Sequence, residues 1–474
     1  MSTKKKVFVV FWATLIIMFL LAGSLMADYN KFKGASQVKS LKFGLSDDVQ
    51  DERVKRIALI KNLKFGLSDV VQDENIKRVA LIKSLKFGLD DDIKVCCGWS
   101  NTCDKEAKMA LYKSFNKLHP DIKIVETYTS GKNYNEEMKL HLLTDSLPDT
   151  FEIVPGATFI NTYVEGNRVA PLTSKMEKWG LKDKIRPELL EMCSYNGEIY
   201  ALPISVNFGN FIFCNEEIVT TNEILTTIHI RSVYEFIEAL KVLDKNNITP
   251  LALGTKDEWS ATMLYEAIVN SLLGPDKYRK LWNGEVSFDD PEIRETLVAF
   301  RDMTRYINDN HSDLTWQEAA DLVHDNKAGF IITGDWVEGY FNSLGWQPGV
   351  DYSWIKTSGS GLVSIPDAFC LSTQACNSET ALAWLKNISS ISTQKEINQI
   401  RGSIPARTDI IKGDFDMYQI EAMLDYSRKD LLPSVAHGLY FPEDTTHKIN
   451  EIFLNLLEDG DIEKAQLELK SIVT

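Results

Sequence analysis

Residues 93–154 read IKVCCGWSNTCDKEAKMALYKSFNKLHPDIKIVETYTSGKNYNEEMKLHLLTDSLPDTFEIV, and their pattern decides the fold class. Ile93–Cys97 is a short apolar run of strand length. Over Lys105–Leu118 the residues Ala107, Ala110, Leu111, Phe115 and Leu118 recur at helical spacing. After His119-Pro120, Ile122–Glu126 reads as a second strand, Asn135–Leu143 as a helix and Thr150–Val154 as a third strand. Such alternation predicts a mainly parallel sheet covered by helices. Phe211–Cys214, Pro250–Leu253, Gly329–Ile332 and Ala368–Leu371 read as later strands among long helical stretches. That much chain exceeds one comfortable core and suits two α/β lobes.

Composition narrows the class. The 474 residues are 44% hydrophobic and 10% aromatic, which is globular. A net charge of −15, spread without an acidic tail, argues against nucleic acid, which calls for a basic stripe. Seven cysteines include Cys96-Cys97 and Cys103, but no C-x-x-C, and the Cys97/Cys103 and Cys370/Cys376 spacings fit no zinc pattern. Neither a metal nor a cofactor is implied. Buried thiols with at most one disulfide are expected, and an odd count leaves one thiol unpaired.

The N-terminus speaks to location. Lys4-Lys5-Lys6 precedes the uncharged apolar run Val7–Ala27, in the order of a secretory signal peptide, yet the run is long enough to span a bilayer. Leu21-Ala22-Gly23-Ser24 resembles a bacterial lipobox, except that Ser24 stands where the lipidated cysteine belongs. Residues 1–27 are therefore expected to be an uncleaved transmembrane anchor, the alternative being a signal cut near Ser24 or Ala27 that releases a periplasmic chain. The positive flank keeps the N-terminus cytoplasmic and the rest outside. Residues 41–62 then recur at 63–84 with five substitutions and no gap. Repeat arrays need three or more units for a core, so residues 28–92 are expected to be a spacer.

Gly334-Asp335-Trp336 ends a buried strand in a tight turn before a helix. Asp335 could cap that helix or hold an outside polar group. A carboxylate beside an indole suits a sugar, whose hydroxyls need acceptors and whose C–H faces stack on aromatic rings.

Ordered landmarks give these features a context. Gly98-Trp99-Ser100 is followed by Glu106-Ala107, then Pro148-Asp149-Thr150-Phe151-Glu152-Ile153-Val154-Pro155-Gly156. Asn196-Gly197-Glu198-Ile199-Tyr200-Ala201-Leu202-Pro203, Asn215-Glu216, Trp259-Ser260-Ala261-Thr262, Gly334-Asp335-Trp336, Asp367-Ala368-Phe369, the stretch Gly402–Asp409 and His437-Gly438 complete the order. Together they resemble the glucose/mannose-type, sugar-binding branch of the bacterial extracellular solute-binding proteins (family 1) of ABC importers. The resemblance implies a two-lobed, type II periplasmic-binding-protein-like α/β fold. Lobe one would be 93–208 plus 355–405 and lobe two 209–354 plus 406–474, with crossovers near Val206–Asn210, Tyr352–Ile355 and Ile404–Thr408. The implied function is extracytoplasmic capture of a mono- or small oligosaccharide by a monomer that delivers it to ABC permease subunits. The alternative is a membrane-tethered sugar sensor acting through a partner receptor or kinase. No enzymatic activity is expected. The ligand-binding residues it implies are Trp99 and Trp259 as stacking platforms, Asp335 as a hydroxyl acceptor with Trp336 beside it, and Glu106, Glu152, Asp367 and His437. Val154 and Glu152 depart from the family's usual His and Gln.

Overall fold

The computed structural model describes residues 92–128, 134–356 and 361–473. The expected anchor Val7–Ala27 and the repeats lie outside the described residues, and among those described no helix is long and apolar enough to cross a membrane.

Two mixed sheets organise the fold. The larger contains β1 (Ile93–Cys96), β2 (Ile124–Glu126), β3 (Thr150–Ile153), β4 (Val169–Ala170), β7 (Ala201–Phe208), β12 (Leu362–Ser372), β13 (Ile404–Pro405) and β14 (Leu431–Pro433). Its order is β13-β7-β12-β3-β1-β2, with β14 and β4 also pairing β12. A small hairpin joins β5 (Ser194–Tyr195) to β6 (Glu198–Ile199). The smaller sheet runs β11 (Tyr352–Ile355), β8 (Phe211–Asn215), β10 (Ala328–Thr333), β9 (Thr249–Ala252).

The expected strands are present within a few residues. The expected mainly parallel pairing is not. β1 pairs β2 and β3 in parallel, but β12 runs antiparallel to β3, β4 and β7. The cause is the path of the chain. β7 leaves the larger sheet and leads into β8 of the smaller one, while β12 returns from β11, so departing and returning strands run in opposite directions. The return is clamped by two buried amides. Asn210 Nδ2 and Asn270 Nδ2 donate to Gly361 O at 3.0 and 2.9 Å, and Val363 N and Gly361 N donate back to their Oδ1 atoms.

Every residue of β12 is buried, as a strand covered on both faces requires. Helix α1 (Thr102–Leu118) lies on the larger sheet and buries Cys103, Ala107, Ala110, Leu111 and Phe115. It begins three residues earlier than its apolar periodicity suggests, because Asn101 caps it by accepting from Asp104 N at 2.9 Å. One apolar core covers the larger sheet and extends to Phe211, Phe213, Ile331 and Tyr352 of the smaller, and a second packs on Ile212, Cys214, Phe330 and Ile332 of the smaller sheet and reaches Val363 and Leu432. A third small cluster, Met263, Trp336, Ile365 and Ala436, brings together residues from several elements. All seven cysteines are free thiols, six buried and Cys376 exposed, and no cluster able to hold a metal occurs among the described residues.

Candidate functional site

The site is assembled from strand ends and helix starts. β3 ends at Glu152-Ile153, and helix α2 (Tyr134–Leu143) faces it: Tyr134 Oη donates to Glu152 O at 2.6 Å. Helix α3 (Trp259–Trp282) opens with Trp259, and the segment 434–438 approaches from the C-terminal part of the chain. Together they line a cavity of about 490 Å³ whose wall includes Tyr134, Glu152, Val154, Trp259 and His437.

At its edge the turn after β10 delivers Trp336 at the start of helix α4 (Trp336–Ser343). The Trp336 ring folds back over Gly334, where a Cβ would lie 2.2 Å from the indole; only glycine permits that approach. Three rings surround it. Trp259 meets it edge-on at 5.5 Å, Trp316 at 6.0 Å and His437 at 5.8 Å, and His437 tilts against Trp259 at 5.0 Å.

Behind the rings lies a buried charge cluster. Arg401, the last residue of helix α5 (Ile391–Arg401), donates through Nε to Asp104 Oδ1 at 2.8 Å and through a terminal nitrogen to Ser205 Oγ and Asp367 Oδ2. Its guanidinium stacks 4.0 Å from the Trp99 ring. Burial opposes the charge on Arg401, but Asp367 and Asp104 outweigh it and keep the group protonated. Asp367 sits at a bulge in β12 and also accepts from Ser205 Oγ (2.7 Å) and Asn207 Nδ2 (3.0 Å).

Three nearby groups titrate abnormally. Burial, then the charge of Asp367, pushes Glu152 up to about 8, although Gly98 N donates to it at 3.1 Å. Burial raises Asp335 to about 8 against a bond from Tyr418 Oη at 2.8 Å. Burial lowers His437 to about 4, so its imidazole is neutral at physiological pH.

Of the residues read from sequence, Glu152, Trp259 and His437 line the cavity, and Trp336 joins their aromatic cluster. Trp99 is buried with one face covered by Arg401. Asp367 belongs to the ion cluster. Asp335 is wholly buried and makes no capping bond; one oxygen accepts from Tyr418 Oη and the other has no partner among the described residues. Burial favours its neutral form near neutral pH. Glu106 is exposed on α1 and absent from the cavity wall. Helical phase turns it outward with Lys105 and Met109 while Ala107 and Ala110 face the sheet, and Asp104 is the acid that reaches Arg401. Sequence reasoning missed Arg401, Asp104, Tyr418 and Trp316.

The architecture is therefore that of an α/β binding protein with two sheets joined by crossing strands and a cavity beside an aromatic and ionic cluster. The chain belongs to the bacterial extracellular solute-binding proteins, whose family model matches residues 100–395. These are binding proteins rather than enzymes. An uncharacterized ABC transporter extracellular-binding protein of Pyrococcus horikoshii is 32% identical over 376 residues, 78% of this chain and 85% of that one. The xylose/arabinose-binding protein XacG of Haloferax volcanii is 25% identical over 73% of this chain and 76% of its own. Among solved structures, the bacterial solute receptor AcbH superposes with a TM-score of 0.70 at 16% identity, covering 80% of this chain and 97% of that one. RafE bound to raffinose gives 0.67 at 16%, covering 81% and 98%. At that identity the likeness is one of fold.

Proposed function

We propose that this protein captures a neutral mono- or small oligosaccharide in the cavity beside Trp259 and His437 and passes it to an ABC permease. The observation that carries the reading is the cavity wall, where Trp259 and His437 stand beside Glu152, backed by buried polar atoms that have no partner among the described residues. They are the indole N–H groups of Trp99 and Trp336 and the Oδ1 atoms of Asn207 and Asp335. Leaving a buried polar group unpaired costs about 1–3 kcal/mol, and a polyhydroxylated ligand offers both donors and acceptors to such a set. Rings supply the complementary stacking faces. Charge argues for a neutral sugar: Arg401 is committed to Asp104 and Asp367, and Lys139 to Glu443 at 2.8 Å. Lys256 also lies in the cavity wall but is exposed, so an anionic sugar would meet a free cation only at the solvent side and acids deeper in. XacG and the probable sugar-binding periplasmic protein of Brucella melitensis, 28% identical over 62% of this chain and 70% of that one, support the ligand class by their names.

In this reading residues 93–208 plus 355–405 and 209–354 plus 406–474 are two lobes that close by hinge motion around the sugar. A monomer tethered by Val7–Ala27 holds them outside the cytoplasmic membrane. The test is a thermal-shift screen of the full chain against neutral pentoses, hexoses and their short oligomers. A sugar present at a hundredfold excess over its Kd adds about 2.7 kcal/mol to stability. A panel in which only uronic acids or sugar phosphates shift the melt would refute the neutral-sugar reading.

A further inference from the structure

His437 has a hidden partner chain. Its Nδ1 lies 3.1 Å from Ser434 Oγ, and Ser434 Oγ lies 2.8 Å from Glu266 Oε2. Glu266 and Ser434 are both fully buried. The other carboxylate oxygen, Oε1, accepts from Val435 N at 2.5 Å and from Tyr278 Oη. His437 lines the cavity, and its Nε2 has no hydrogen-bond partner among the described residues.

We infer that Glu266, acting through Ser434, is a positioning residue that sets the tautomer of His437 and so decides whether Nε2 accepts or donates a hydrogen bond to the sugar. Ser434 has one proton to give. When Glu266 is ionised, Ser434 donates to Oε2, its oxygen accepts from Nδ1–H, and Nε2 presents a lone pair to the cavity. Protonating Glu266 reverses every link. A proton enters at Nε2 from the cavity, the Nδ1 proton passes to Ser434 Oγ, and the proton Ser434 held passes to Oε2. One proton is gained overall, the imidazole stays neutral, and Nε2 becomes a donor.

The surroundings fit such a relay. Burial pushes the Glu266 carboxyl up to about 7, opposed by the bonds from Tyr278, Val435 and Ser434, and no cation pairs with it among the described residues. Tyr278 and Tyr440 are its other titratable neighbours, both raised by burial beyond the physiological range. Asp367 is the charged group that bears on His437, whose own ionisation at about 4 lies below the window. Within the proposed sugar-binding reading, on which this rests, a hydroxyl that donates to Nε2 binds the ionised form, and affinity rises as pH increases through about 7.

The test needs no sugar, so it can fail independently of the ligand assignment. The full chain is prepared with 15N-labelled histidine, the His437 signals being assigned by their loss in His437→Asn. In the wild type, Nδ1 should carry the pyrrole-type signal at about pH 8.5 and Nε2 should carry it at about pH 5.5. In Glu266→Gln the carbonyl is held by Val435 N–H, the amide nitrogen faces Ser434, and Nε2 should carry the proton at both pH values. A wild-type tautomer unchanged between the two pH values overturns the inference, and so does a Gln variant that still switches. The wild-type titration stands even if the variant does not fold.

Discussion

Replacing Asp335 by Asn isolates the cost of the buried acid. The unfolded chain loses the Asp335 proton near the ordinary aspartate value of 3.8, whereas the folded chain keeps it to about 8. Between those values the folded state binds one proton more, so this residue makes stability fall as pH rises, until the slope ends near 8. At pH 7 the gap to the unfolded value is about three pH units, and at ~1.4 kcal/mol per unit the acid costs folding up to about 4 kcal/mol. Asn removes that cost. It also keeps the contacts: its oxygen can accept from Tyr418 Oη, and its amide stands where the neutral acid carries its proton, on the oxygen without a partner. Asp335→Asn should therefore raise stability at pH 7 by about 2–4 kcal/mol and flatten the pH dependence between about 4 and 8 by one proton. Affinity for the sugar at pH 7 should change less than about tenfold, the worth of ~1.4 kcal/mol. Urea titrations at several pH values and calorimetry on the same samples measure both. A variant less stable than wild type at pH 7, with its pH slope intact, would refute the reasoning and make Asp335 an ionised structural anchor.

Two further outcomes follow from the same cluster. Arg401→Met should lower unfolding free energy by about 3–5 kcal/mol in denaturant titration, because Asp104 and Asp367 are left as uncompensated buried charges; Arg401→Lys should not restore it, lacking the planar fork and the face that stacks on Trp99. Trp259→Ala should weaken sugar binding by about tenfold or more, some 1.4 kcal/mol, while the melting temperature without sugar stays within a few degrees, since Trp259 is only half-buried; unchanged affinity would remove it as a stacking platform.

The strands and α1 were legible because burial imposes a period on the sequence, and Ile93, Val95, Ala107, Leu111 and Phe115 obey it. Sheet direction was not, because the crossing between β7 and β12 depends on which sheet each strand end enters. The aromatic half of the site could be read from Trp259, Trp336 and His437, whose neighbours form recognisable short motifs. Its ionic half could not. Arg401 ends a helix of mostly polar residues and looks like any surface arginine, while its partner Asp104 lies 297 residues away. Glu106 comes from the resemblance's Glu-Ala helix start, which says nothing of Asp104; the helix begins at Thr102 behind the Asn101 cap, and Asp104 in its first turn is the acid that reaches Arg401.

Perturbed titration by itself does not mark the site. Glu338 is as buried as Asp335 and is pushed well above the carboxylate range by burial and by Asp416, and it too has an oxygen without a partner. That oxygen packs against the backbone of Gly402, where an added Cβ would lie 2.1 Å away, and its other oxygen accepts from Tyr352 Oη at 3.0 Å. Glu338 is walled in by protein, and nothing from outside can reach it. Glu152 and His437 share the same desolvation but border the cavity, and Asp335 adjoins the ring that contacts His437. The distinction is access: a buried acid sealed by backbone is a cost the fold carries, whereas the desolvation of Glu152 and His437 at the wall of an open cavity is a cost that a bound sugar can offset.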